Sequence, residues 1–90
     1  MFDFEEIMNL DDFGVKKNRS GAYKGQIDGE NGKRNGYGVY VGNDGRVYEG
    51  QWLQDRRHGH GYEIFKNGNI YRGLYMNNKP HGKGIYTWVN

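Results

Sequence analysis

The chain has no cysteine, one proline (Pro80), one serine (Ser20) and one threonine (Thr87). Without cysteine there is no disulfide framework, no thiol nucleophile and no thiolate zinc site. The lone serine and threonine lie in no nucleophile motif, so nothing in the sequence assembles a catalytic constellation, and an enzyme is not expected. No apolar run approaches the ~20 residues that a membrane-spanning helix needs. The opening MFDFEEIMNL is acidic where a secretory signal is basic, so the expectation is a soluble, cytoplasmic protein. Apolar residues make up only 34% of 90, little material for a thick core in a chain that allows one domain at most.

What is abundant argues for order. The chain holds 8 Tyr, 4 Phe, 2 Trp and 16 Gly. Disordered segments are poor in aromatics and rich in proline, the reverse of this composition. High glycine and tyrosine with few aliphatics suggest an all-β fold with many turns. Charge is split along the chain. Residues 1–12 carry Asp3, Glu5, Glu6, Asp11 and Asp12 with no base, and the remainder carries 13 basic against 6 acidic residues. The −5 and +7 sum to the overall +2.

The chain repeats itself. Tyr48, Gly50, His58, Gly59 and Gly61 recur 23 residues later as Tyr71, Gly73, His81, Gly82 and Gly84. An earlier copy begins at Tyr23, with two additional residues in its DGENGKRN loop. The shared unit is Y-x-G-x-(W/Y/I), a loop, G-x-G, and then (D/N)-G in the first two copies. It resembles the MORN (membrane occupation and recognition nexus) repeat. The resemblance covers residues 23–90 as three copies, 23–47, 48–70 and 71–90, the last incomplete. Ile27 and Tyr75 stand where that family prefers Trp, and residues 1–22 match nothing in it.

Each unit reads as two short strands, giving an antiparallel meander of about six strands in a single twisted layer. Asp44-Gly45 and Asn67-Gly68 are two-residue hairpin signals. That register pairs Val41 with Tyr48, Tyr37 with Trp52, Ile64 with Tyr71 and Glu63 with Arg72. It puts Tyr23, Tyr37, Val39, Val41, Tyr48, Trp52, Tyr62, Ile64, Tyr71, Tyr75 and Ile85 on one face. Keeping that face continuous calls for a three-residue loop at Asp55-Arg56-Arg57 or a compensating bulge. Gly25, Gly50 and Gly73 leave room for rings to lie across the strands, and Gly36, Gly38, Gly59, Gly61, Gly82 and Gly84 read as structural glycines, not as phosphate loops. Within the acidic segment 1–22, residues 3–13 space Phe4, Ile7 and Met8 as a short helix would, its stripe packing on the first repeat or on a partner. Asn90 aligns with Asn67, so the chain stops in mid-turn. Either more repeats follow in a longer protein, or the last strand is a natural edge open to strand addition.

Three candidate sites follow. Tyr37, Tyr48, Trp52, Tyr62, Tyr71 and Tyr75 form an aromatic groove for a helix or peptide, against the plainer alternative of a packing layer between repeats. Lys33, Arg34, Arg56, Arg57 and Lys79 occupy matching loop positions and form a basic rim toward anionic phospholipid or acidic protein, against the plainer alternative of solvated loops. His58, His60 and His81 offer too few ligands for a metal. No cofactor is expected, and with a pI of about 8.9 and no reading motif no nucleic-acid partner is expected either. The resemblance implies a non-catalytic scaffold that binds proteins or assembles homotypically, in a cytoskeletal or ciliary setting such as radial-spoke heads, to which RRHGHGY is similar. It also implies two alternatives, a headgroup-binding tether as in junctophilins or a regulatory segment of a larger enzyme.

Overall fold

The computed structural model describes residues 13–89. Seven strands form one open antiparallel sheet in chain order: β1 (Phe13–Lys17), β2 (Gly21–Ile27), β3 (Arg34–Gly42), β4 (Val47–Leu53), β5 (Arg56–Ile64), β6 (Ile70–Met76) and β7 (Lys79–Thr87). This is the all-β meander that the repeats imply, with one strand more than the three hairpins account for. The additional β1 comes from the segment read as helix and linker. The rest of that helix falls outside the described residues.

The turns reverse the sequence expectation. Gly42 N donates to Arg46 O at 2.8 Å, closing a three-residue loop over Asn43-Asp44-Gly45 in which Gly45 has φ 98°. Phe65 and Asn69 close the equivalent loop at 2.8 Å, with Gly68 at φ 89°. The Gly of Asp-Gly and Asn-Gly thus occupies the left-handed third position of a longer loop and is not half of a two-residue turn. The two-residue turns are Gln54-Asp55 (φ 45° and 72°) and Asn77-Asn78 (φ 50° and 71°), both residues left-handed as a type I′ turn requires. No three-residue loop stands at Asp55-Arg56-Arg57, because Leu53 pairs with Arg56.

One residue of turn length moves every side chain to the other face. Tyr40 pairs with Tyr48, Val41 with Val47, Glu63 with Tyr71 and Tyr62 with Arg72. Tyr37, Val39, Val41, Tyr62, Ile64 and Ile85 therefore face away from Tyr23, Tyr48, Trp52, Tyr71 and Tyr75. The single aromatic-aliphatic face expected from the sequence is two faces. One is aromatic. The other carries an aliphatic row, Ala22–Val41–Val47–Ile64–Ile70, that crosses β2 to β6.

The shifted register also aligns the glycines. Gly14, Gly25, Gly38, Gly50, Gly61, Gly73 and Gly84 pair in succession across all seven strands. This row is the trough in which the tyrosines lie. A Cβ on Gly38 would sit 2.2 Å from Tyr23 Oη, one on Gly61 2.5 Å from the Tyr48 ring, and one on Gly84 2.2 Å from Tyr71 Oη. Each ring, laid flat, donates its hydroxyl to the backbone three residues on: Tyr23 to Gln26 O (2.6 Å), Tyr48 to Gln51 O (2.7 Å) and Tyr71 to Leu74 O (2.8 Å). The Y-x-G-x half of the repeat is one device, a tyrosine folded over glycine and tied to its own strand.

The first glycine of each G-x-G does different work. Gly36, Gly59 and Gly82 have φ 103°, 88° and 74°, in a conformation that side chains rarely adopt. They sit in bulges where the register slips beside Gln26, Gln51 and Leu74. The Gln26 and Gln51 side chains replace the lost rungs, accepting from Tyr37 N at 2.9 Å and His60 N at 2.6 Å.

Candidate functional site

The buried core is a single layer of rings on the aromatic face: Tyr23, Tyr48, Trp52, Tyr71 and Tyr75, between 1% and 6% exposed. They meet edge to face in a herringbone. Trp52 lies 5.3 Å from Tyr23 and 5.0 Å from Tyr48, and Tyr75 lies 5.1 Å from Tyr48 and 5.3 Å from Tyr71. Such pairs contribute about 0.5–1.5 kcal/mol each beyond area burial. Each ring at the fifth position of a unit thus wedges between the tyrosines of its own and the preceding unit, and Trp52 Nε1 also donates to Gly38 O at 3.2 Å. This explains why the position accepts Trp or Tyr, while Ile27 in the first unit only packs against the cluster.

Burial pushes the pKa of the phenols at positions 23, 48, 71 and 75 above the ordinary tyrosine value. A phenol that resists ionisation in the fold but ionises normally when unfolded stabilises the fold below pH ~10 and loses that contribution as pH rises further. The expected result in a spectrophotometric titration at 295 nm is that these four ionise together with loss of near-UV circular dichroism. Smooth titration of these four with the fold intact would overturn this.

Two arginines close over the rings. Arg34 lies 4.4 Å above the Trp52 ring and pairs with Asp55 at 3.0 Å, while its Nη2 donates to Asp55 O at 2.9 Å. Arg57, one period later, lies 5.4 Å from the Tyr75 ring and 5.7 Å from Tyr48, and donates to Asn78 O at 2.6 Å. Its Nη1 also binds Glu63 Oε1 at 2.7 Å. Glu63 is 2% exposed and accepts in addition from Tyr75 Oη at 2.6 Å. Of the five residues read as a basic rim, then, Arg34 and Arg57 fold inward as lids, and only Lys33, Arg56 and Lys79 are exposed.

The same shift divides the expected groove. Tyr48, Trp52, Tyr71 and Tyr75 are its buried floor, whereas Tyr37 and Tyr62 lie on the far face, where Tyr37 accepts from Gln51 Nε2 at 3.2 Å and Tyr62 lies 5.4 Å from Arg72. Above the floor the structure opens a cleft of about 200 Å³ lined by Arg34, Tyr40, Arg46, Asp55, Arg57 and Glu63, among others. A second of about 160 Å³ beside it is lined by Lys16, Asn18, Tyr23, Arg34, Tyr40 and Asp55. Sequence reasoning missed Tyr40, Arg46, Asp55 and Glu63 here. The signal for Glu63 was present: the residues 23 positions before and after it are Tyr40 and Tyr86, so a carboxylate interrupts an aromatic column.

The geometry defines a class, a repeat protein of stacked β-hairpins whose recurring positions serve packing within and between units. The MORN repeat family model matches residues 30–45, 48–70 and 71–90, and the chain belongs to that family. No curated protein sequence matches the chain. Repeats of this family form protein-interaction or membrane-binding modules and are typically non-enzymatic.

Proposed function

We propose that the chain is a non-catalytic scaffold module that docks a protein partner along the cleft on its aromatic face. The observation that carries this reading is the cleft itself. Its aromatic floor, Tyr48 and Trp52, is buried, and Arg34, Arg46, Arg57 and Tyr40 border it. Tyrosine and arginine are the residues that anchor protein interfaces, because they bury area and place directional donors at low entropy cost. The partner contributes a helix or peptide. A cytoskeletal or ciliary setting is supported by the similarity of RRHGHGY to ciliary repeats, and fusion of a tag reporting localisation tests it.

The test of the groove uses photo-crosslinking residues at Arg46 and Asn78, which line the cleft, and at Val39 and Tyr62, which lie on the other face. The expected result is partner cross-linking from the first pair only. Equal cross-linking from both faces, or from Val39 and Tyr62 alone, sinks the reading.

A membrane tether is the second reading, supported by the exposed Lys33, Arg56 and Lys79. Against it, the turns at the same end of the sheet also present Asp28, Glu30 and Asp55. Flotation with phosphoinositide vesicles is expected to leave the chain unbound at moderate salt. Binding that disappears on reversing the three cations to Glu would favour the tether instead.

A further inference from the structure

At the turn end of the sheet, on neither of the clefts described above, Lys33, Leu53, Gln54, Arg56, His58 and Asn77 line an open cleft of about 340 Å³. Its lining contains three basic side chains, two amides and no carboxylate. Lys33 and Arg56 are exposed, and neither is in an ion pair among the described residues, in contrast to Arg34 and Arg57 one position along. His58 is half-buried, and its Nδ1 is shielded from water with no hydrogen-bond partner. A buried polar atom left without a partner calls for an explanation. With Nδ1 shielded, the other ring nitrogen, Nε2, is the one that can carry an N–H toward the cleft this residue lines.

We infer that this cleft binds a phosphate monoester on a protein partner, a phosphorylated side chain held by Lys33, Arg56 and His58 with the Gln54 and Asn77 amides beside it. The inference rests on the reading of the chain as a protein-docking module and gives it a second, separate contact. The chemistry selects the ligand. A phosphate monoester carries about −1.5 to −2 charges and three strong acceptor oxygens. Here three basic donors arrive from two segments, Lys33 from the loop before β3 and Arg56 and His58 from β5. A carboxylate has one charge and would leave part of that set unanswered. Leu53, 50% exposed at the cleft wall, offers apolar contact to a residue neighbouring the phosphate.

The surroundings favour a protein source over a bilayer. Asp28 accepts from Gln54 Nε2 at 3.0 Å, directly behind the cleft, and the Glu30 N–H and the Gln54 amide hold its carboxyl below the usual range, so it stays charged. Glu30 lies in the same loop and Asp55 in the adjacent turn. A flat anionic surface would have to approach all three carboxylates. A single side chain reaches the cations without doing so, and the same carboxylates select a segment whose flanking residues are basic or neutral.

The test is a titration of the whole chain with N-acetyl-phosphoserine methylamide, followed by amide and side-chain NMR. Shifts are expected to cluster on Lys33, Gln54, Arg56, His58 and Asn77, and the unphosphorylated serine derivative should produce none. Lys33→Glu with Arg56→Glu should weaken binding by roughly tenfold or more, since charge-assisted bonds supply most of the contact. Both side chains are exposed, so the dispersion of the spectrum should be unchanged. His58→Gln should weaken binding while leaving Lys33 and Arg56 responsive. Shifts that are absent, that scatter over Lys66, Lys79 and Lys83, or that survive the double reversal overturn the inference. So does flotation on phosphoinositide vesicles without monoester shifts, which would assign the cations to a membrane. Failure here leaves cross-linking from Arg46 and Asn78 in place, and failure of the groove leaves the monoester shifts in place, so the two outcomes are separable.

Discussion

Gly61→Ala is expected to destabilise the fold by about 2–3 kcal/mol, the upper range for overpacking a filled site. The added Cβ would stand 2.5 Å from both Cε2 and Oη of Tyr48. The ring has nowhere to go. Its hydroxyl is tied to Gln51 O, and Trp52 and Tyr75 abut it edge to face at 5.0 and 5.1 Å. For a domain of this size the loss corresponds to a fall in melting temperature of roughly 10–20 °C. Gly29→Ala is the control, because a Cβ there meets nothing within 4 Å. It should change stability by no more than ~0.5 kcal/mol, and in the stabilising direction if the backbone allows it. Thermal and urea unfolding of the two variants decide the matter. Equal effects would mean that the glycine row is not a steric trough for the tyrosines.

The second large effect belongs to Glu63, the buried acidic residue of the aromatic face. Arg57→Met leaves Glu63, with its side chain 3% exposed, without its cation, and the expected cost is about 3–5 kcal/mol. Arg34→Met, which removes the partner of the 38%-exposed Asp55 side chain, should cost only about 1 kcal/mol by comparison, because water screens the carboxylate that remains. Replacing the whole network as Arg57→Met, Glu63→Leu and Tyr75→Phe should recover most of the loss, since an apolar substitute of similar volume removes the desolvation cost along with the attraction. Urea unfolding of the single and triple variants measures this directly. A triple variant as unstable as Arg57→Met would show that the loss came from packing of the Arg57 side chain over Tyr48 and Tyr75, not from the stranded charge.

Much of this fold was legible because a repeat is a self-consistency test. A single Y-x-G is weak, but Tyr23, Tyr48 and Tyr71 each followed by glycine two residues later, and then by G-x-G, leave few alternatives to stacked hairpins. The glycines at 25, 50 and 73 were read as space for rings; the rings press on their cross-strand partners Gly38, Gly61 and Gly84, while a Cβ at 25, 50 or 73 meets backbone first. What misled was turn length. Asp-Gly and Asn-Gly fit a two-residue turn and also the end of a three-residue loop, and composition does not separate them. The Gln54-Asp55 turn carries no glycine at all, so its two left-handed residues left no mark in the sequence.

That one-residue difference decided the candidate site. It moved Tyr37 and Tyr62 off the aromatic face and brought Tyr40 and Glu63 onto it. It also separated the paired bases, because adjacent residues in a strand point to opposite sides. Arg34 and Arg57 turn inward over the rings, while Lys33 and Arg56 remain at the edge with His58. Spacing of 23 residues established that these positions correspond but not which way they face.

By itself the sequence determined the repeat, its period, the antiparallel hairpins and the absence of any thiol chemistry, because each follows from which residues are present and how far apart they stand. Only the tertiary structure decided the faces, the buried Arg57–Glu63–Tyr75 network and the division between inward and outward cations. The physical reason is that side-chain direction in a sheet has a period of two, so a single residue in a turn, nearly free in local energy, inverts everything downstream.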